Sequence, residues 1–151
     1  MAIPANIYFG NIETATIENK FYRKVLYTTS NQQLVLMSIR PKEDIKLETH
    51  DNNDQFIRIE KGSGLLLVGH DESKSKYELS NGIAFIIPAR TLHHIINTSD
   101  SEDLKLYTIY SPPHHPENLE EMERPKSTQC GGINNSNYGK FISYKRKNDF
   151  Y

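Results

Sequence analysis

A single cysteine, Cys130, is all that the 151-residue sequence contains. No internal disulfide can form, and a reducing compartment is the simpler expectation. Excess charge is lacking too: 18 basic residues face 19 acidic ones, a formal charge of −1. No global field draws such a chain to nucleic acid or to an anionic membrane, so neither is expected as a partner. Long apolar runs are missing, as is a basic leader in the opening "MAIPANIYFG". A membrane span needs about 20 consecutive apolar residues and a secretory leader needs a charged start with an apolar run. The expectation is a soluble, cytoplasmic protein. Helical stripes are scarce, and only "ENLEEMERPK", residues 117–126, has helix-forming composition.

What is present is strand. "LVLMSIR" (34–40), "DIKLETH" (44–50), "QFIRIEKG" (55–62), "GLLLVG" (64–69), "KYELS" (76–80), "IAFIIPA" (83–89), "HHIINT" (93–98) and "LKLYTIY" (104–110) each read as a short strand between turn residues. Such a series implies an all-β domain, an antiparallel sandwich or small barrel. Ahead of it, "TIENKFYRKVLYTTSN" (16–31) reads as an N-terminal strand covering a sheet edge. Length and pattern divide the chain into one domain over 1–116 and a short helical or irregular C-terminal extension over 117–151. In the extension, Tyr138, Phe141, Ile142 and Tyr144 are spaced as an apolar stripe that can dock on a protein partner.

The chemistry concentrates in "ETHDNNDQFIRIEKG". Strand side chains alternate, so Glu48 and His50 share a face, and Gln55 opens the next strand after a polar turn. "NGIAFIIPARTLHHIIN" adds His93. If the barrel closes, Glu48, His50, Gln55 and His93 converge on one interior spot. Two imidazoles, a carboxylate and a neutral amide oxygen make a ligand set for one divalent ion, with Zn, Mn, Fe and Ni all open. A hydrogen-bonded polar cluster without metal is the alternative for the same residues.

These two segments resemble the cupins. The first cupin motif aligns with Glu48, His50, Gln55 and Gly62, the second with Gly82, Pro88, His93 and Asn97. The chain departs from the pattern at Lys42 and Arg90, where the motifs carry glycine, at Glu48, where they carry histidine, and at Gln55, where they carry glutamate. The carboxylate has moved, but the charge of the set is kept. With "DQFIRIEKG" and "LYTIYSPPHHP", the stretch from Thr16 to Pro116 is similar to the small bacterial cupins described as mannose-6-phosphate isomerase-like. That resemblance implies a double-stranded β-helix, a jelly-roll barrel with the site inside.

Around the site, Arg90 lies in a turn near His93, where a guanidinium can clamp a phosphate or carboxylate. Tyr107 and Tyr110 occupy opposite faces of the last strand, and Tyr107 is taken with Arg90 as a substrate-orienting candidate. His94, opposite in parity to His93, is expected outside as a packing or surface residue, Arg58 outside in an ion pair, and His70 exposed in a turn. His114 and His115 are expected to be a solvated or oligomer-facing pair. Phe56, Ile57, Ile59, Phe85, Ile87, Ile95 and Leu106 are core candidates. The functional expectation is a metal-dependent, isomerase-like protein acting on a small polar molecule, a sugar or sugar phosphate, and assembling as a homo-oligomer such as a dimer. Two alternatives stand beside it: an Fe(II)-dependent dioxygenase, and a non-catalytic binding or assembly module using its tail. The tail's Tyr/Lys pattern is similar to segments found in proteins of large DNA viruses, so a virion component is the alternative location.

Overall fold

The structure, a computed structural model, describes residues 6–126. Cys130 and the expected stripe at Tyr138, Phe141, Ile142 and Tyr144 lie outside the described residues. Ten strands among the described residues form two antiparallel sheets. The larger sheet takes β1 (Arg23–Thr28), β2 (Gln33–Ile39), β4 (Asp54–Lys61), β7 (Ala84–Ile87), β9 (Leu104–Ser111) and β10 (Glu120–Glu121), in the order β10-β1-β2-β9-β4-β7. The smaller takes β3 (Asp44–Glu48), β5 (Gly64–Val68), β6 (Ser75–Leu79) and β8 (His93–Asn97), in the order β3-β8-β5-β6. This is the expected all-β jelly roll, and the eight predicted strands all form.

Alternation builds the core. On β9, Leu104, Leu106, Thr108 and Tyr110 turn inward and are all but fully buried. They meet Ile57 and Ile59 of β4, Val35, Met37 and Ile39 of β2, and Ile95 of β8. Each buried aliphatic side chain contributes about 1.5–3 kcal/mol of transfer free energy, so this central set dominates stability. Phe56 has the opposite parity. It is half-buried on the outer face of the sheet, with its ring centroid 6.1 Å from that of Tyr107, rather than in the core.

Two expectations for local structure are corrected. Residues 16–18, read as strand, close a helix, α1 (Ile12–Glu18). Four of its seven residues are β-branched and favour strand, but the Asn11 side chain caps the first turn by accepting from Thr14 N–H at 3.0 Å. The buried Lys105 ammonium then holds the helix end, donating to Asn19 O at 2.6 Å and to Ser38 Oγ at 2.8 Å. Residues 117–126, read as helical or irregular, form no helix: they are irregular apart from β10. Asn118 has φ of 60°, and Glu120 and Glu121 pair across the ladder with Lys24 (3.0 Å) and Arg23 (2.6 Å). Tertiary ion pairs override a propensity of a few tenths of a kcal/mol per residue.

The motif glycine Gly62 has φ of +96°, and a β-carbon there would lie 2.7 Å from Asp103 O. Only glycine fits. Lys42 and Arg90, at the motifs' other glycine positions, also have positive φ, 62° and 64°. The backbone has kept the glycine conformation while the side chain has changed.

Candidate metal centre

Glu48 ends β3 and His93 begins β8, and the two are direct partners in the antiparallel register. The ladder thus sets a carboxylate beside an imidazole. His50 lies just past the end of β3, and its backbone carbonyl accepts from Arg90 N–H at 2.7 Å. That bond ties the turn after β3 to the turn before β8 and returns the His50 ring to Glu48, with Nε2 3.3 Å from Oε1. His93 Nδ1 meets Thr91 O at 2.8 Å. A carbonyl can only accept, so Nδ1 carries a proton, and in the neutral ring the lone pair is on Nε2. This Nε2 is buried without a hydrogen-bond partner, 3.6 Å from Glu48 Oε1. One donor atom from each of Glu48, His50 and His93 lies within 4.8 Å of the others.

Electrostatics suits a cation. Burial alone would raise the Glu48 carboxyl, but the two imidazoles beside it outweigh burial and hold it well below the usual carboxylate range. Glu48 is therefore an anion flanked by a ring nitrogen of His50 and one of His93. Gln55 is fully buried, its Nε2 donates to Tyr110 Oη at 3.1 Å, and its Oε1 has no hydrogen-bond partner. An orphaned imidazole nitrogen and an orphaned amide oxygen are costly to bury. A divalent ion would satisfy both, so the residues present fit one.

Residues 35–110 match the cupin domain family. The chain belongs to the cupins. It is 46% identical to an uncharacterized protein of Acanthamoeba polyphaga mimivirus over 93% of this chain and 88% of that one. It is 43% identical to an uncharacterized Bacillus subtilis protein over 70% of this chain, spanning 58% of that protein's length. A Bacillus halodurans crystal structure superposes with a TM-score of 0.74 at 40% identity, over 79% of this chain and 91% of that chain.

The cupin places the other candidates differently. Arg90 is exposed, and what it gives the site is its backbone N–H. Tyr107 is corrected: it faces outward on β9, opposite Arg58 and Leu36 in the register, whereas Tyr110 faces in. Its ring lies 5.4 Å from that of His50, and burial, then the Glu48 charge, keep its phenol protonated well above the usual tyrosine range. Arg58 pairs outside with Glu60 at 2.9 Å, and His70 is exposed. His94 is buried on the far face of its strand, bound to Asp44 at 2.6 Å.

His114 and His115 are not a free pair. The His114 ring packs edge-on against His50, centroids 4.4 Å apart, and stacks on Tyr110 at 5.2 Å. Buried Gln33, on β2, accepts from His114 N–H and His115 N–H and donates to His115 O, and Asn53 donates to Pro112 O. The only hint in the sequence was the Pro-rich "SPPHHP" itself.

His115 has a measurable consequence. Burial, then the Arg23 charge, pushes its pKa down to about 3 from an ordinary value of about 6.5. Between those values the unfolded chain binds a proton that the folded one refuses. Its contribution to stability is therefore complete above about pH 6.5 and lost as pH falls toward 3. Urea unfolding of chelator-treated protein at pH 7 and pH 4.5 checks this: His115→Gln is expected to lose less stability between the two than wild type.

Proposed function

We propose that this cupin holds one divalent ion on Glu48, His50 and His93, with Gln55 Oε1 completing the set, and that it acts on a small sugar or sugar phosphate in an isomerase-like reaction. The observation that carries the reading is His93 Nε2, buried without a hydrogen-bond partner beside the Glu48 carboxylate while Nδ1 is taken by Thr91 O. A bound ion there supplies Lewis acidity to a carbonyl or hydroxyl oxygen. The chain's own residues do the rest. Tyr110, held protonated, fixes the Gln55 amide from inside the barrel. His93 and Glu48, on paired strands, keep the donor spacing rigid, and burial of the imidazoles excludes water from one side of the site.

Incubating metal-loaded protein with aldose and ketose phosphates in D2O, followed by proton NMR, tests the activity. Interconversion, or deuterium exchange beside the carbonyl, is expected in wild type and absent in Glu48→Gln. Fully loaded protein that turns over none of these sugars would overturn the isomerase reading. The likeness to a mimivirus protein supports a second reading, in which this cupin is a virus component and residues 127–151 are an assembly arm.

A further inference from the structure

An exposed histidine in a loop normally keeps its rotamer freedom, and ordering it costs free energy. His114 is exposed yet held. Gln33 is buried completely, and its amide takes three backbone groups of the loop: His114 N–H at 3.2 Å, His115 N–H at 2.8 Å and His115 O at 2.7 Å. Asn53, also buried, takes Pro112 O at 2.6 Å and Pro113 O at 3.4 Å. Two buried amides from two different parts of the chain thus fix "SPPHHP" against the mouth of the barrel. The ring they deliver stands nearly perpendicular to that of His50, centroids 4.4 Å apart, and stacks on Tyr110 at 5.2 Å. A donor and an acceptor carried beside the ligand set on a loop whose backbone is held is the arrangement that ligand recognition requires.

We propose that His114 is a specificity-determining residue that hydrogen-bonds a ligand seated at the metal centre, and that this ligand carries two adjacent oxygens. One oxygen goes to the metal and the neighbouring one reaches His114. An α-hydroxy carboxylate or a vicinal hydroxyl and carbonyl pair has that chemistry. The inference rests on the metal reading above, and it goes further by naming the group that selects the ligand.

Glycolate and acetate differ by one adjacent hydroxyl, which makes them the probes. Full-length protein is loaded with Co(II), and each acid is titrated against the visible absorption of the metal. Wild type is expected to prefer glycolate, and in His114→Ala the ratio of the two affinities falls about fivefold, the worth of one hydrogen bond. Chelation by the metal itself is present in both proteins and cancels. His114→Gln, which keeps an N–H donor, is expected to recover part of the preference. Equal cobalt uptake with an unchanged ratio in His114→Ala would overturn the role of His114 alone. Failure of wild type to take up cobalt would overturn the metal reading and this one together.

Discussion

His93→Ala protein, purified without chelator or affinity nickel, is expected to contain almost no metal, while wild type carries about one equivalent by elemental analysis. The expected loss of affinity is at least about a hundredfold, above the 10–100-fold that removal of a ligand's hydrogen-bonding partner costs. The reason is the tautomer. His93 Nδ1 is committed to Thr91 O, so Nε2 is the ring nitrogen left for an ion, and it has no hydrogen-bond partner. Without an ion, the site buries an orphaned nitrogen, an orphaned Gln55 oxygen and a carboxylate held anionic. With an ion, each has a partner. A ligand that binds only the folded state at a thousand times its dissociation constant adds about 4 kcal/mol of stability, so a chelator should lower the melting temperature of wild type and leave that of His93→Ala unchanged. Circular dichroism is the check that the variant is folded. Metal-free wild type with a melting temperature indifferent to chelator would sink the proposal, and the cluster would then be a hydrogen-bonded plug.

The second large effect is structural. Asn97→Ala is expected to cost about 3 kcal/mol in urea unfolding, because Asn97 is fully buried and none of its bonds can be replaced by water. Its Nδ2 donates to Ile39 O on the other sheet and to Glu102 O, both at 2.8 Å, and its Oδ1 accepts from Ser99 N–H at 2.9 Å. One side chain therefore fastens β8 to the end of β2 and closes the turn before β9. Asn97→Asp should cost more still, since it sets a carboxylate against two carbonyl oxygens. Loss of less than about 1 kcal/mol in Asn97→Ala would show that the turn rearranges and that the fastening is dispensable. The motif asparagine is thus a strut rather than a ligand.

Much of this was legible along the chain, for reasons that differ by residue. The eight strands were visible because polar and Gly- or Pro-containing turns punctuate apolar runs with a period of two. Glu48, His50 and His93 were visible as one group because motif spacing fixes which strands and turns supply them. Parity separated Tyr107 from Tyr110, but alternation cannot say which face is the inside until the sheets pair. The register opposite Ile57, Leu106 and Thr108 decides it in favour of Tyr110. Phe56 fell to the outside by the same rule. Helix α1 was hidden by β-branched residues whose strand preference is outweighed by a cap and a lysine 86 residues away. The segment 117–126 looked helical because propensity is local, whereas its strand is made by cross-strand ion pairs with β1.

By itself, then, the sequence determined the strands, the all-β class and three residues of the candidate metal centre, because periodicity and motif spacing are local properties written in adjacent positions. Only the tertiary structure decided that Tyr110 rather than Tyr107 lines the site, and that His114 stands over it. Both depend on partners 50 or more residues away, through sheet register in one case and through the buried amides of Gln33 and Asn53 in the other. No local pattern encodes which distant amide will take a loop's backbone.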